Sequence, residues 1–185
     1  MGAYYSELGE LRQSEANLLS ENVNFSSKEV QALFARFKKL DRSGAGVISR
    51  DNLLKIPELA MNPLVDRIVD CFEADDEGNV TFTAFLQCLS HLSTSGTIRE
   101  KLALAFRVYD INNDGFISID ELTQILRLMV GAHMTDEEIQ KTAITTIDSA
   151  ASDGEKISRD DFYSLFGDRE DEISRIFTIE IVTRD

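Results

Sequence analysis

The chain has 185 residues, 43% of them hydrophobic, and a formal net charge of -14. That length suits one large domain or two small lobes, and the apolar content is too high for global disorder. The acidic balance argues against nucleic acid, which needs a basic footprint, and suits cations and basic partners.

Gly2 followed by Ser6 matches the N-myristoylation pattern, and it is equally what an ordinary mobile terminus can carry. Glu7 and Glu10 follow it in place of a basic cluster, so one acyl chain here would give only weak, reversible membrane binding. Residues 7–24 have weak helical spacing through Leu8, Leu11, Leu18 and Leu19, which predicts a loosely held arm. Order begins near Phe25. Ser26 and Glu29 have capping-box spacing, and Val30, Leu33, Phe34, Phe37 and Leu40 then recur at helical intervals.

A loop-like stretch at 41–52 follows, with Gly46 at position six and Ile48 at position eight. Ala45 at position five has no side-chain oxygen, and Asn52 at twelve offers at most one. Leu53, Leu54 and Ile56 resume helical spacing until Pro57. The stretch 57–63 reads as a connector because neither Pro57 nor Pro63 belongs in a helix interior. Pro63 is placed to start the next helix, whose apolar face is Leu64, Val65, Ile68, Val69 and Phe72. Cys71 lies inside this pattern and Cys88 inside the next, which predicts reduced, buried thiols and a cytoplasmic setting.

The same frame returns at 73–84, with Gly78 at six, Val80 at eight and acids at Glu73, Asp75 and Glu77. Ala84 at twelve removes the last oxygen. These two loops read as structural, pairing through Ile48 and Val80. Phe82, Phe85, Leu86 and Leu89 carry the next helix, and residues 94–97 read as a linker.

Ile98, Leu102, Ala105, Phe106 and Tyr109 lead into the fullest version of the frame, 110–121. Asp110, Asn112 and Asp114 occupy positions one, three and five, Gly115 six, Ser118 nine and Glu121 twelve. This is the spacing of an EF-hand calcium loop. A hard cation takes six to eight oxygens, and Phe116 at position seven offers its backbone carbonyl whatever its side chain. Glu121 can bind with both oxygens, and Gly115 allows the sharp turn. The predicted metal ligands are therefore Asp110, Asn112, Asp114, Phe116, Ser118 and Glu121, and the cofactor is calcium.

Ile119, Leu122, Ile125, Leu126, Met129 and Val130 leave this loop, and Gly131 stops the helix. Thr135 and Glu138 offer another capping box ahead of Ile139, Ala143, Thr146 and Ile147. If Ile157 holds position eight, a fourth loop spans 150–161, with Ala150 at one and Asp161 at twelve. Its carboxylates at Asp148, Asp153, Glu155 and Asp161 fall off the usual positions, so either a rearranged site or a turn pairing Ile157 with Ile117 is expected, the turn being preferred. Phe162, Leu165 and Phe166 carry the last helix, and residues 178–182 alternate apolar and polar, able to extend or cover a groove.

Ile48, Val80, Ile117 and Ile157 are thus spaced by 32, 37 and 40 residues. The expected fold is all-α: four EF-hand helix-loop-helix units in two paired lobes, with short β pairings between loops. The expected divisions are an arm at 1–24, pairs at 25–93 and 98–168 and a tail at 169–185. No run of eighteen apolar residues predicts a membrane span, and no apolar signal-peptide core follows Met1. No Ser-His-Asp, Cys-His or zinc-ligand constellation predicts catalysis. His91 and His133 read as surface or packing residues.

Five stretches now resemble the calcineurin B family: Phe37-Lys38-Lys39-Leu40-Asp41, Ile56-Pro57-Glu58-Leu59, Asn62-Pro63-Leu64-Val65, Ala105-Phe106-Arg107-Val108-Tyr109-Asp110 and Met129-Val130-Gly131. The Gly2/Ser6 start matches the family too, which implies myristoylation at Gly2. The resemblance implies a calcium-binding regulatory subunit of a Ser/Thr protein phosphatase. It would be cytoplasmic or peripheral at membranes, and would take an amphipathic helix of the catalytic subunit in a groove. Groove candidates from the apolar faces are Phe85, Leu89, Leu126, Met129 and Val130, although each taken singly reads first as an ordinary core residue. Ser49-Arg50-Asp51 and Pro57-Glu58-Leu59-Ala60 look more like the calcineurin-homologous adaptors, which bind a cytoplasmic helix of sodium/proton exchangers; the short linker favours calcineurin B. A third alternative is a calcium-insensitive structural EF-hand subunit. The family uses four calcium-competent loops; here the resemblance carries ligands onto 110–121 alone.

Overall fold

The computed structural model describes residues 11–93 and 96–166. A short helix α1 (Gln13–Ser20) precedes α2 (Ser27–Leu40). The predicted box starts α2: Glu29 N–H donates to Ser26 Oγ at 3.4 Å while Glu29 Oε2 accepts from Ser26 N–H at 2.8 Å. After the first loop come β1 (Val47–Ser49) and α3 (Arg50–Leu53), then α4 (Pro57–Ala60) and α5 (Val65–Asp70). Pro57 sits in the first turn of α4, where its missing N–H costs nothing. Pro63 does not open α5 as expected; Leu64 caps it and Val65 begins it. Strand β2 (Asn79–Thr81) and α6 (Phe82–Leu92) complete the first pair.

The second pair repeats the order with α7 (Ile98–Tyr109), β3 (Phe116–Ile117), α8 (Ile119–Val130), α9 (Asp136–Ala150), β4 (Ile157–Ser158) and α10 (Arg159–Phe166). Both expected pairings form. β1 and β2 are antiparallel with Ile48 opposite Val80, and β3 and β4 are antiparallel with Ile117 opposite Ile157. Thr135 and Glu138 cap α9 as predicted.

Two apolar cores lie under these strand pairs. In the first, Phe82 packs edge-on to Phe34 and Phe37, with centroids 5.0 and 5.3 Å away. Such pairs add about 0.5–1.5 kcal/mol each beyond burial. The second gathers Phe106, Ile117, Leu122, Ile147, Ile157 and Phe162. The lobes are not independent. On α7, Leu104 and Val108 face the first core while Leu102, Ala105 and Phe106 face the second, and Ile125 of α8 also enters the first.

The described part of the N-terminal arm is more ordered than its weak spacing predicted. Leu11 and Ala16 are buried in the first core, and α1 lies against α2 through hydrogen bonds such as Ser27 Oγ to Asn17 Oδ1 at 2.7 Å. The small Ala16 lets the helices approach, a cue that a search for large apolar residues passes over. The groove candidates divide. Phe85 and Leu89 are fully core, whereas Met129 is exposed and Leu126 and Val130 are half-buried. Cys71 and Cys88 are buried free thiols, and burial pushes Cys71 up to about 11 and Cys88 higher still. Gly2 and the tail at 169–185 lie outside the described residues.

Candidate metal centre

The loop at 110–121 is built by its own short-range chemistry. Helix α7 ends when Asp110 leaves helical geometry, at ψ 87°. Two residues then turn left-handed: Asn113 at φ 58° and Gly115 at φ 86°. Asn accepts that region better than most residues and Gly has no Cβ to object. Asp110, only 5% exposed, holds the turn from inside: Oδ1 accepts from Asp114 N–H at 3.1 Å and Oδ2 from Gly115 N–H at 3.0 Å. Asn112 Oδ1 accepts from Asp114 N–H at 2.8 Å, and Asp114 Oδ1 accepts from Phe116 N–H at 2.9 Å.

Glu121 closes the loop from the first turn of α8. Its Oε1 accepts from Ile111 N–H at 2.9 Å and Asn112 N–H at 3.1 Å; its Oε2 accepts from Ser118 N–H at 2.9 Å and Ser118 Oγ at 2.6 Å. Burial pushes this carboxyl up, but the hydrogen bonds from Ser118, Asn112 and Ile111 outweigh it and hold it below its ordinary value. Position twelve therefore bridges both ends of the loop through amides. Among the described residues no three acidic, histidine or cysteine side chains stand gathered as a ready metal cluster. The donor set nevertheless suits a hard cation: three carboxylates, an amide oxygen, a hydroxyl and a carbonyl, all oxygen. A cation already touches it, since Lys156 Nζ lies 3.0 Å from Asp114 Oδ2.

Two basic residues that the motif does not contain thus bear on the site. Besides Lys156, Arg67 of α5 donates to the carbonyls of Val108 at 3.2 Å, Arg107 at 3.4 Å and Asp110 at 3.3 Å. A guanidinium at the carbonyl end of α7 satisfies orphan acceptors and complements the helix dipole. Neither residue matches a motif. For Lys156 the one available signal was its place beside Ile157, which the strand register aims at the neighbouring loop.

The other three loops close by hydrogen bonding. At 41–52, Asp41 repeats the part of Asp110: Oδ1 accepts from Gly44 N–H at 2.9 Å and Oδ2 from Gly46 N–H at 2.7 Å. Asn52 at position twelve donates Nδ2–H to Leu40 carbonyl at 3.2 Å, a neutral latch where a carboxylate would be wanted. At 73–84, Asp75 Oδ1 accepts from Glu77 and Asn79 N–H at 3.0 and 2.8 Å, while Ala84 is buried. In the fourth loop α9 runs on through Ala150, so the cap falls on Ala151, one residue nearer the strand than in 110–121. The loop is effectively shortened, and Gly154 takes the left-handed turn at φ 74°. Asp161 there accepts from Ser152 and Ser158 hydroxyls, and the hydrogen bonds from Ser152 and then Ser158 lower its carboxyl to about 2.

Comparison with known proteins agrees with this geometry. The family model of an EF-hand domain pair matches residues 99–167. The calcineurin B protein of Naegleria gruberi is 44% identical over 153 residues, spanning 82% of this chain and 86% of the relative. The chain belongs to the calcineurin B family. The type 1 calcineurin B protein of Dictyostelium discoideum is 37% identical, covering 86% of this chain and 89% of its own length. The type 2 calcineurin B protein of Homo sapiens is 40% identical, covering 80% and 87%. Membership bears out the resemblance read from the connector and the α7 motif. As a calcineurin B family member it is a calcium-binding regulatory EF-hand protein, not a catalyst. Among the described residues no helix is long and apolar enough to cross a membrane.

Proposed function

We propose that this calcineurin B family chain is the calcium-responsive regulatory subunit of a calcineurin-type Ser/Thr phosphatase. In this reading one calcium ion is held by Asp110, Asn112, Asp114, the Phe116 carbonyl, Ser118 and Glu121. The observation that carries it is the contrast between loops: 110–121 keeps oxygen donors at every ligand position, while Ala45 and Ala84 supply no side-chain oxygen, Asn52 no carboxylate, and the fourth loop is shortened. Glu121 would exchange its amide partners for the ion, which couples binding to the junction between α7 and α8.

An amphipathic helix of the catalytic subunit would dock on the second lobe. Leu128 is 51% and Met129 38% exposed on α8. Met129 Sδ accepts from the Tyr109 hydroxyl at 3.9 Å, and ring contacts run on from Tyr109 to Phe162 and Phe166, beside exposed Leu165. The net charge of -14 favours basic residues flanking the partner helix. Gly2 acylation stays part of the proposal, as a weak anchor at the membrane surface.

Isothermal titration with calcium, followed by pull-down with a phosphatase catalytic-subunit helix and an exchanger helix, tests the reading. One site and preference for the phosphatase helix support it. Two or more tight sites refute the loop assignment, and preference for the exchanger helix refutes the partner.

A further inference from the structure

Lys156 belongs to a loop with a poor donor set, yet its ammonium rests on a predicted ligand of the neighbouring loop. Nζ is 3.0 Å from Asp114 Oδ2 and 5.8 Å from the centre of the Phe116 ring. The pairing of Ile157 with Ile117 fixes this reach, because it lays the two loops side by side. The division of labour within Asp114 gives the contact its meaning. Oδ1 is committed to the loop backbone through Phe116 N–H at 2.9 Å. Among the described residues Oδ2 takes no backbone donor; it accepts from Lys156 and, at 3.3 Å, from Asn112 Nδ2. The oxygen left available for a metal is the one Lys156 holds.

The Lys156 and Asp114 side chains are 44% and 36% exposed, so the pair does little for folding. Its consequence lies in what it denies to another cation. We propose that Lys156 is an affinity-setting residue, a tethered monovalent cation that competes for Asp114 and weakens divalent-ion binding at 110–121 in a salt-dependent way. This rests on the assignment of that loop as the calcium site. Displacing the ammonium forfeits its contact with Asp114, and leaving it nearby sets like charges against each other. A single and a double positive charge about 6 Å apart in water correspond to roughly a tenfold effect on binding, reduced to about threefold at physiological salt.

The test is isothermal titration of the full chain with calcium at low and physiological salt, comparing Lys156→Met and Lys156→Arg with the parent. Lys156→Met should bind about three- to tenfold tighter, with the gain shrinking as salt rises, and Lys156→Arg should stay within about twofold. Equal or weaker binding by Lys156→Met, with the parent binding one ion, overturns this inference alone. No binding by the parent overturns the loop assignment and this inference together. Circular dichroism confirms that the exposed substitution leaves the fold intact.

Discussion

Glu121→Gln should damage the protein even when no calcium is present. The carboxylate accepts four hydrogen bonds, from Ile111 and Asn112 amides and from the Ser118 amide and hydroxyl, and the residue is only 5% exposed. Glutamine keeps one oxygen for two of these donors. Its NH2 group then confronts the Ser118 amide, donor against donor, while the Ser118 hydroxyl can rotate to accept. One buried donor left orphaned costs about 1–3 kcal/mol, and the surviving bonds lose their charge assistance. The expected loss is about 2 kcal/mol, read by urea unfolding in chelator. Calcium affinity should fall separately, by about 100-fold or more, as a ligand charge and one coordinating oxygen disappear. If chelated Glu121→Gln unfolds within about 0.5 kcal/mol of the parent, as an ordinary surface change would, the bridging role of Glu121 is refuted.

Arg67→Met should cost about 1–3 kcal/mol in the same assay, because three carbonyls at the end of α7 lose a charged donor; unchanged stability would show that water replaces it. Ala45→Asp with Asn52→Glu should raise the calorimetric stoichiometry from one ion to two, since Asp41 and the positive φ of Gly44 and Gly46 already set the first loop in the frame of the third. A count that stays at one would mean the frame alone is insufficient. Asp161 has a folded-state carboxyl lowered from 3.8 to about 2, so the closure of the fourth loop is present above about pH 4 and is lost as pH falls towards 2. Carboxyl-carbon NMR should find its midpoint near 2; a midpoint at the ordinary value would show that the Ser152 and Ser158 contacts do not form in solution.

The parts of this molecule legible in the sequence are those made by near neighbours. Ser26 with Glu29 and Thr135 with Glu138 cap helices across three residues, and the 110–121 spacing fixes its own turn, so both were visible. The equivalence of Ile48, Val80, Ile117 and Ile157 even gave the strand pairing. Contacts made across the fold were not visible. Beyond its place next to Ile157, nothing local to Lys156 points to Asp114, and nothing local to Arg67 points to the carbonyls 40 residues on. Helix α7 is apolar on more than one side, which composition shows; that Leu104 and Val108 serve one core and Phe106 the other is decided only by packing. The late start of the fourth loop was half visible, since misplaced acids signalled a disturbed frame without saying which residue α9 had absorbed.

That shared helix has a mechanical consequence. A helix that walls a single core can swing and let its own lobe absorb the motion. Helix α7 is pinned at its carbonyl end by Arg67 and inserts Leu104 and Val108 between residues of the other lobe. Any change in the angle between α7 and α8 therefore has to be shared: the first lobe repacks, or it resists and the angle stays put. The first lobe, its loops closed by hydrogen bonds to the Asp41 and Asp75 carboxylates and from the Asn52 amide, is the load against which the proposed hinge would work.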